Sequence, residues 1–219
     1  MSFRQYLNRI SQEKKLVRVS RPISTAYEIS GVLKRMEPSP LLFEVVKESG
    51  FRVAGNLFCS KASFASYFGI PVAAILPNLV NAIEHTSPCR VVSSAPCQEV
   101  VDFEPDLDRL PILRHCQGDG GNYISAGVVI AAHPLYGQNV DFHRAMQFSK
   151  DEMAIRVVQN RHFDAYLKEL VAVDVAICVG NSPNVLAAAA TSVALGVNEL
   201  EIANTLSPLD VVKAKTVDV

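Results

Sequence analysis

Residues Tyr123–Phe148 read YISAGVVIAAHPLYGQNVDFHRAMQF, which is the pattern of two strands joined by a turn. The first ten residues are rich in the β-branched and apolar side chains typical of strands. HPLYGQ then combines proline with glycine, as turns do. The remainder, NVDFHRAMQF, alternates as a half-buried returning strand does. The sequence therefore predicts a strand-rich second part of the chain, centred on this hairpin.

Asn139 and Arg144 both lie on the returning strand, five positions apart. Because residues two apart share a face of a strand, an odd interval places these two side chains on opposite faces. Both can serve one ligand only if a bulge or a bend lies between them.

The residues before the hairpin are predicted to form a small α/β unit over 1–102. Hydrophobic spacing and capping residues predict its elements. The helices are 2–15, 27–35, 61–68 (closed by Gly69) and 78–84, and the strands are 16–23, 41–46, 52–58 and 91–101. A proline-punctuated loop over 103–111 marks the predicted domain boundary.

The remaining chain, 103–219, is predicted as the second domain. After the hairpin, strands are expected at 153–159, 173–180 and 210–219, and helices at 162–170, 183–194 and 200–206.

Composition excludes several classes of function. The chain has 219 residues, 49% of them hydrophobic, and a net charge of −1, so no charge argument favours nucleic acid or a membrane. No stretch approaches 18 apolar residues, and the N-terminus lacks a signal-peptide core. The five cysteines form no CxxC pair, which disfavours disulfide and zinc frameworks. We therefore expect a soluble, cytoplasmic protein that binds neither membrane nor nucleic acid.

Four polar residues combine the chemistry of a metal site and an anion site: Asn139, Arg144, His162 and Glu199. Amide and carboxylate oxygens suit Mg²⁺ or Mn²⁺, and an imidazole moves the preference toward Mn²⁺. The guanidinium offers a planar fork to a carboxylate or a phosphate. Taken singly, each residue also has an ordinary interpretation as a satisfied polar group or a solvated charge. The same holds for His115, and for GDGG as a plain turn.

Six segments together resemble the UbiD-like decarboxylases, which use prenylated FMN. They are LPILRH (Leu110–His115), GDGG (Gly118–Gly121), YISAGVVI (Tyr123–Ile130), NVDFHR (Asn139–Arg144), RHF (Arg161–Phe163) and GVNE (Gly196–Glu199). The resemblance implies an α+β fold: a small N-terminal α/β domain (1–102) followed by a split β-barrel that binds the flavin (103–219). It also implies that the second domain is incomplete at its C-terminus.

The resemblance assigns roles residue by residue. Asn139, His162 and Glu199 would bind a divalent metal, Mn²⁺ or Mg²⁺, that clamps the flavin phosphate, and K⁺ is a further candidate cofactor. Arg144 would contact the cofactor and orient the substrate carboxylate. Arg161 would either touch the flavin phosphate or lie in solvent. Glu201 is the alternative to Glu199 as the carboxylate ligand of the metal.

The implied reaction is non-oxidative decarboxylation of an α,β-unsaturated or aromatic acid. The candidate substrates are trans-anhydromevalonate 5-phosphate, for isoprenoid synthesis, and an acid of the 4-hydroxybenzoate type, for quinone synthesis. Expected partners are the carboxylic acid, a prenyltransferase that supplies the cofactor, and further copies of the full-length chain. The alternative is a flavin- and metal-binding module, or a truncated subunit, without turnover by itself. An intact mass near 23.9 kDa would favour the module.

Overall fold

The computed structural model describes residues 1–219, which form seven α-helices, eleven strands and three short 3-10 turns. The helices are α1 Phe3–Gln12, α2 Glu28–Arg35, α3 Lys61–Phe68, α4 Ile75–Glu84, α5 His162–Glu169, α6 Pro183–Ala189 and α7 Glu199–Leu206. The strands are β1 Val17–Val19, β2 Leu41–Phe43, β3 Val53–Gly55, β4 Arg90–Val92, β5 Tyr123–Ile124, β6 Val128–His133, β7 Gly137–Phe142, β8 Ala145–Gln147, β9 Met153–Ile155, β10 Val175–Cys178 and β11 Asp210–Val212. This is the mixed α/β content that the sequence predicts.

The N-terminal unit is a three-stranded sheet, β1-β2-β3, with helices packed against it. β1 runs parallel to β2, and β2 runs antiparallel to β3. The fully buried side chains of Ile29, Leu41 and Phe43 form its core. A second cluster joins α1 to α3, because Tyr6 and Ile10 bury their side chains against Tyr67.

Helix α3 has the bounds that the sequence predicts because both of its ends are capped. The Ser60 hydroxyl accepts a hydrogen bond from the backbone N–H of Ser63. At the other end Gly69 adopts the left-handed conformation, with φ of 68°, which favours glycine.

We expect Gly69→Ala to lower the free energy of unfolding by about 1 kcal/mol, because a Cβ is strained at this φ. Gly31→Ala, inside α2, is the matched control. A Cβ there would meet nothing within 4 Å, so the gain in helix propensity of about 0.5–1 kcal/mol should stabilise the protein. Urea unfolding of both variants measures the difference, and shifts of the same sign would contradict it.

The predicted hairpin is present, but each of its long strands is broken into two. The first is interrupted at Ser125–Gly127, and the second at His143–Arg144. β6 pairs with β7 on one side and with β10 on the other, whereas β8 pairs with β5 and β9 in a separate sheet. The strand is therefore interrupted between Asn139 and Arg144, where a bulge or a bend is needed if both residues serve one ligand.

The two faces of the hairpin pack against different helices. Val128, Ile130 and Val140 belong to the largest core cluster, together with residues of α6 and α7. On the opposite face Ala131 packs against Phe163 and Tyr166 of α5. Because Asn139 is the cross-strand partner of Ala131, Asn139 lies on the α5 face.

Several predicted elements are too long. The strand over 91–101 ends at Val92 and gives way to a 3-10 turn at Pro96–Gln98, and the helix over 183–194 ends at Ala189. The strand over 210–219 ends at Val212, because the chain then folds back so that Val212 and Val219 exchange backbone hydrogen bonds. Strand pairing forms four separate sheets, so the closed split barrel stays a prediction, as does the boundary between 102 and 103.

None of the seven helices is long and apolar enough to span a membrane by itself. Lys61–Phe68 and Val72–Glu84 satisfy such a requirement only when taken together, across a bend of 83°.

Candidate active site

Three of the predicted site residues come together although about sixty positions separate the first from the last. Nδ1 of His162 lies 3.0 Å from Oδ1 of Asn139 and 3.9 Å from Oε1 of Glu199. The predicted convergence of these side chains is confirmed. Their role as metal ligands stays a prediction.

Each of the three side chains is held by a different element. Asn139 projects from β7 toward α5. His162 is the first residue of α5, and Phe163, which follows it, is buried and packs on Ala131. Glu199 is the first residue of α7, whose N-cap Asn198 accepts a hydrogen bond from the backbone N–H of Leu200. A helix N-terminus is a favourable place for a carboxylate.

Glu199 is a buried acid, with only 2% of its surface exposed. Burial raises the pKa of Glu199 to about 7, since the charged form loses its hydration. Hydrogen bonds from its own backbone N–H and from that of Val140 act in the opposite direction, and the nearby charge of Asp141 adds to the rise. The protein alone therefore supplies too little positive charge to keep this carboxylate ionised well below neutral pH.

The donor set fits a divalent cation. It offers an amide oxygen, an imidazole nitrogen and a carboxylate oxygen, and the nitrogen lies within 4 Å of both oxygens. Neighbouring ligands at about 2.1 Å around an octahedral ion lie about 3.0 Å apart, close to the separation of His162 and Asn139. No group of three or more His, Cys, Asp or Glu side chains anywhere in the chain is placed to hold a metal. Because the third donor here is an amide, this site contains only two residues of those types.

Replacing Glu199 by Gln should change how stability depends on pH in the metal-free protein. The pKa of Glu199 is raised above its unfolded value of 4.5 to about 7, so the folded state binds the proton more tightly. The stability that this tighter proton binding contributes is fully present below pH 4.5 and is lost as pH rises through 7. Between pH 5 and pH 8 we therefore expect the free energy of unfolding to fall by about 2–3 kcal/mol more in wild type than in Glu199→Gln.

Urea unfolding in the presence of a chelator measures this difference. Parallel pH curves for the two proteins would contradict the raised pKa of Glu199. Added Mn²⁺ should remove most of the loss at pH 8 in wild type only, because a bound cation stabilises the carboxylate.

The other three predicted residues lie differently. Arg144 is exposed at the bend between β7 and β8, and its guanidinium makes no hydrogen bond or ion pair within the chain. Arg161 precedes α5, and its Nη1 donates a hydrogen bond to Oγ of Ser192 at 2.7 Å. The side chain of Glu201 makes no hydrogen bond to Asn139 or His162. Glu199 is therefore the better candidate of the two glutamates.

Sequence reasoning missed a polar pair beneath the site, Asp141 and His143. No role was predicted for His143, which is buried, with Nδ1 2.9 Å from the carbonyl oxygen of Arg156 and Nε2 2.8 Å from Asp141. Burial lowers the pKa of His143, but Asp141 and the Arg156 carbonyl outweigh it, so the net shift is upward. The D-x-H spacing was an available signal, since residues two apart share a face.

Two family models match separate parts of the chain. Residues 7–83 match the model of the 3-octaprenyl-4-hydroxybenzoate carboxy-lyase N-terminal domain. Residues 90–219 match the model of the Rift-related domain of that carboxy-lyase, UbiD. The anhydromevalonate phosphate decarboxylase of Methanosarcina mazei is 34% identical over 219 residues, which is 96% of this chain and 50% of that protein.

Solved structures give the same result. The UbiD-class enzyme HmfF from Pelotomaculum thermopropionicum, in an evolved dimeric form in complex with prFMN, superposes with a TM-score of 0.94 at 35% identity, over 100% of this chain and 54% of that one. Vanillic acid decarboxylase from Sedimentibacter hydroxybenzoicus, in closed form, superposes with a TM-score of 0.90 at 26% identity, over 99% of this chain and 51% of that one. The chain spans about half the length of these relatives. By the match of its residues 90–219 and by its similarity throughout, it belongs to the UbiD family.

Proposed function

We propose that this chain is the metal- and cofactor-binding part of a prenylated-FMN-dependent decarboxylase that acts on an α,β-unsaturated or aromatic carboxylic acid. The observation that supports it best is the meeting of Asn139, His162 and a buried Glu199 around one point. The relatives named as decarboxylases, and the HmfF complex with prFMN, support the choice of reaction and cofactor.

In this proposal Asn139, His162 and Glu199 hold Mn²⁺ or Mg²⁺, which anchors the phosphate of the flavin. K⁺ stays a further candidate. When bound, the prenylated flavin would supply the electron sink for the loss of CO₂. The protein's own contribution is position and charge, because a rigid set of ligands fixes where the cofactor lies.

The two arginines have separate tasks in the proposed site. Arg144 has a guanidinium with no partner in the chain, so its planar fork is free to bind and orient the substrate carboxylate. Arg161 is held by Ser192, and its remaining N–H groups are free for the flavin phosphate. Arg144 is therefore proposed as the catalytic residue and Arg161 as a cofactor-binding one.

A phosphorylated anhydromevalonate is the proposed substrate. Relatives named for that substrate are 30–34% identical to the chain, compared with 27% for the phenolic acid decarboxylase of Sedimentibacter hydroxybenzoicus. The aromatic acids are the alternative. A prenyltransferase that supplies the cofactor, and a homo-oligomer, belong to the same proposal.

The test is purification of the protein, expressed from its natural reading frame, from cells that make prenylated FMN. We expect a flavin absorbance spectrum, about one divalent metal per chain, and CO₂ release from trans-anhydromevalonate 5-phosphate. The matched control is mevalonate 5-phosphate, which lacks the conjugated double bond. Release from aromatic acids instead would move the substrate to the alternative class. Flavin and metal without any CO₂ release would favour the binding module, and absence of both would refute the proposal.

A further inference from the structure

A second polar cluster lies at the other end of helix α5, away from the proposed metal site. It consists of His133 at the end of β6, Tyr136 in the turn, and Glu169, the last residue of α5. The phenol of Tyr136 donates a hydrogen bond to Oε1 of Glu169 at 2.5 Å. Nε2 of the buried His133 lies 3.4 Å from Oε2 of the same carboxylate. Glu169 therefore joins the end of α5 to the hairpin that carries Asn139.

The imidazole of His133 is held by its surroundings. Its ring stacks on Tyr136 with centroids 4.6 Å apart and also packs against Tyr166 at 5.1 Å. Nδ1 accepts a hydrogen bond from the backbone N–H of Leu135, so in the neutral ring the proton is on Nε2, which lies near Glu169 without a hydrogen bond to it. The cluster is thus built from stacked rings and one shared carboxylate.

Three residues of α5 form a single face that contacts the hairpin. His162, Tyr166 and Glu169 are spaced i, i+4 and i+7, which places them one above another on a helix. His162 contacts Asn139, Tyr166 donates a hydrogen bond to the carbonyl oxygen of Gly137 at 3.1 Å, and Glu169 contacts Tyr136. The helix therefore runs antiparallel to β7 with a contact at each turn.

The lengths of the two elements match. The four residues from His162 to Tyr166 span about 6 Å of helix, and the two residues from Gly137 to Asn139 span about 7 Å of strand β7. A contact at Glu169 therefore fixes the axial position of α5, and with it the place of His162 at the opposite end.

We propose that Glu169, Tyr136 and His133 are positioning residues that set the register of α5 on the hairpin, so that His162 faces Asn139 before any metal binds. The value of such preorganisation lies in metal affinity, since ligands that are already in place need no ordering when the ion arrives. The effect on metal affinity rests on the proposed metal site. The position of α5 on the hairpin does not, and it can be measured separately.

The first measurement is the Mn²⁺ dissociation constant, from the signal of free Mn²⁺ in electron paramagnetic resonance, well below the melting temperature. Glu169→Ala and Tyr136→Phe should weaken Mn²⁺ binding about tenfold, the lower end of the effect of residues that hold a metal ligand in place without touching the metal. Glu169→Gln should bind nearly as wild type does, because its amide oxygen still accepts the Tyr136 hydrogen bond. The control is Glu28→Ala, which removes a surface carboxylate of α2 that pairs with Lys47 at 3.1 Å.

The second measurement is amide hydrogen exchange of the metal-free protein. In Glu169→Ala we expect faster exchange along all of α5, including the N–H of Ala165, which donates to the carbonyl oxygen of Arg161 in the first turn. Unchanged Mn²⁺ affinity in Glu169→Ala would overturn the proposal, and so would faster exchange confined to the last turn. If wild type binds no Mn²⁺ at all, the proposed metal site is wrong. The hydrogen-exchange result then decides by itself whether Glu169 sets the register of α5: faster exchange along the whole helix supports it, and faster exchange only in the last turn contradicts it.

Discussion

His162→Ala is expected to remove metal and flavin from the purified protein together. The imidazole is the central donor, since its Nδ1 lies within 4 Å of both other candidate ligands. Without it only the amide of Asn139 and the carboxylate of Glu199 remain, and the buried carboxylate then favours its protonated form. We expect metal affinity to fall by at least about 100-fold. Because the metal is proposed to anchor the flavin phosphate, flavin absorbance should fall in parallel.

Elemental analysis and the flavin spectrum of the same preparation measure both quantities. His85→Ala is the control, since His85 is exposed and lies at the end of α4. Normal flavin content after loss of the metal would contradict the clamp, and normal content of both would remove His162 from the site.

Arg144→Ala should lower turnover by about 10²–10³-fold, the usual cost of removing one charged donor from a reacting group. Metal and flavin content should stay near wild type, because Arg144 lies at the bend after β7 rather than among the three candidate ligands. Arg144→Lys should restore little, since an ammonium group lacks the planar fork that binds a carboxylate through two hydrogen bonds. The rate of CO₂ release at saturating substrate, measured together with flavin absorbance, separates a loss of turnover from a loss of cofactor.

Arg4→Ala, an exposed arginine of α1, is the control for this series. Turnover near wild type in Arg144→Ala would exclude the carboxylate role. If flavin content falls as steeply as turnover, Arg144 anchors the cofactor instead.

The sequence predicted elements best where their ends carry local signals. α3 is bounded by Ser60 and Gly69, and both residues act through hydrogen bonds or backbone conformation within a few positions. The strands were predicted too long, because an apolar run contains no mark of where it leaves one sheet for another. The break at Gly127 shows the reason: a Cβ there would lie 3.0 Å from Cγ2 of Ile177 on β10, a residue fifty positions away that only folding brings near.

The site was predictable in its residues but not in its electrostatics. Motif resemblance selected Asn139, His162 and Glu199, and the fold brings them together. The raised pKa of Glu199 depends on burial of the start of α7 against β7 and on the neighbouring Asp141, neither of which has a signature in sequence spacing. The spacing of Asp141 and His143 places them on one face of a strand, but nothing in the spacing shows that His143 is buried against Phe163 of α5.

Glu199 also occupies the outer edge of a sheet. β7 is the last strand of the order β10-β6-β7, and Oε2 of Glu199 accepts the backbone N–H of Val140 at 2.8 Å. The carboxylate therefore supplies the acceptor that a further strand would supply, at a place where Val140 and Glu199 are both buried. Glu199→Ala should leave this backbone N–H without an acceptor and lower the free energy of unfolding by about 1–3 kcal/mol. Urea unfolding of Glu199→Ala at pH 5, beside Glu199→Gln, whose amide oxygen still accepts the hydrogen bond, would measure the cost.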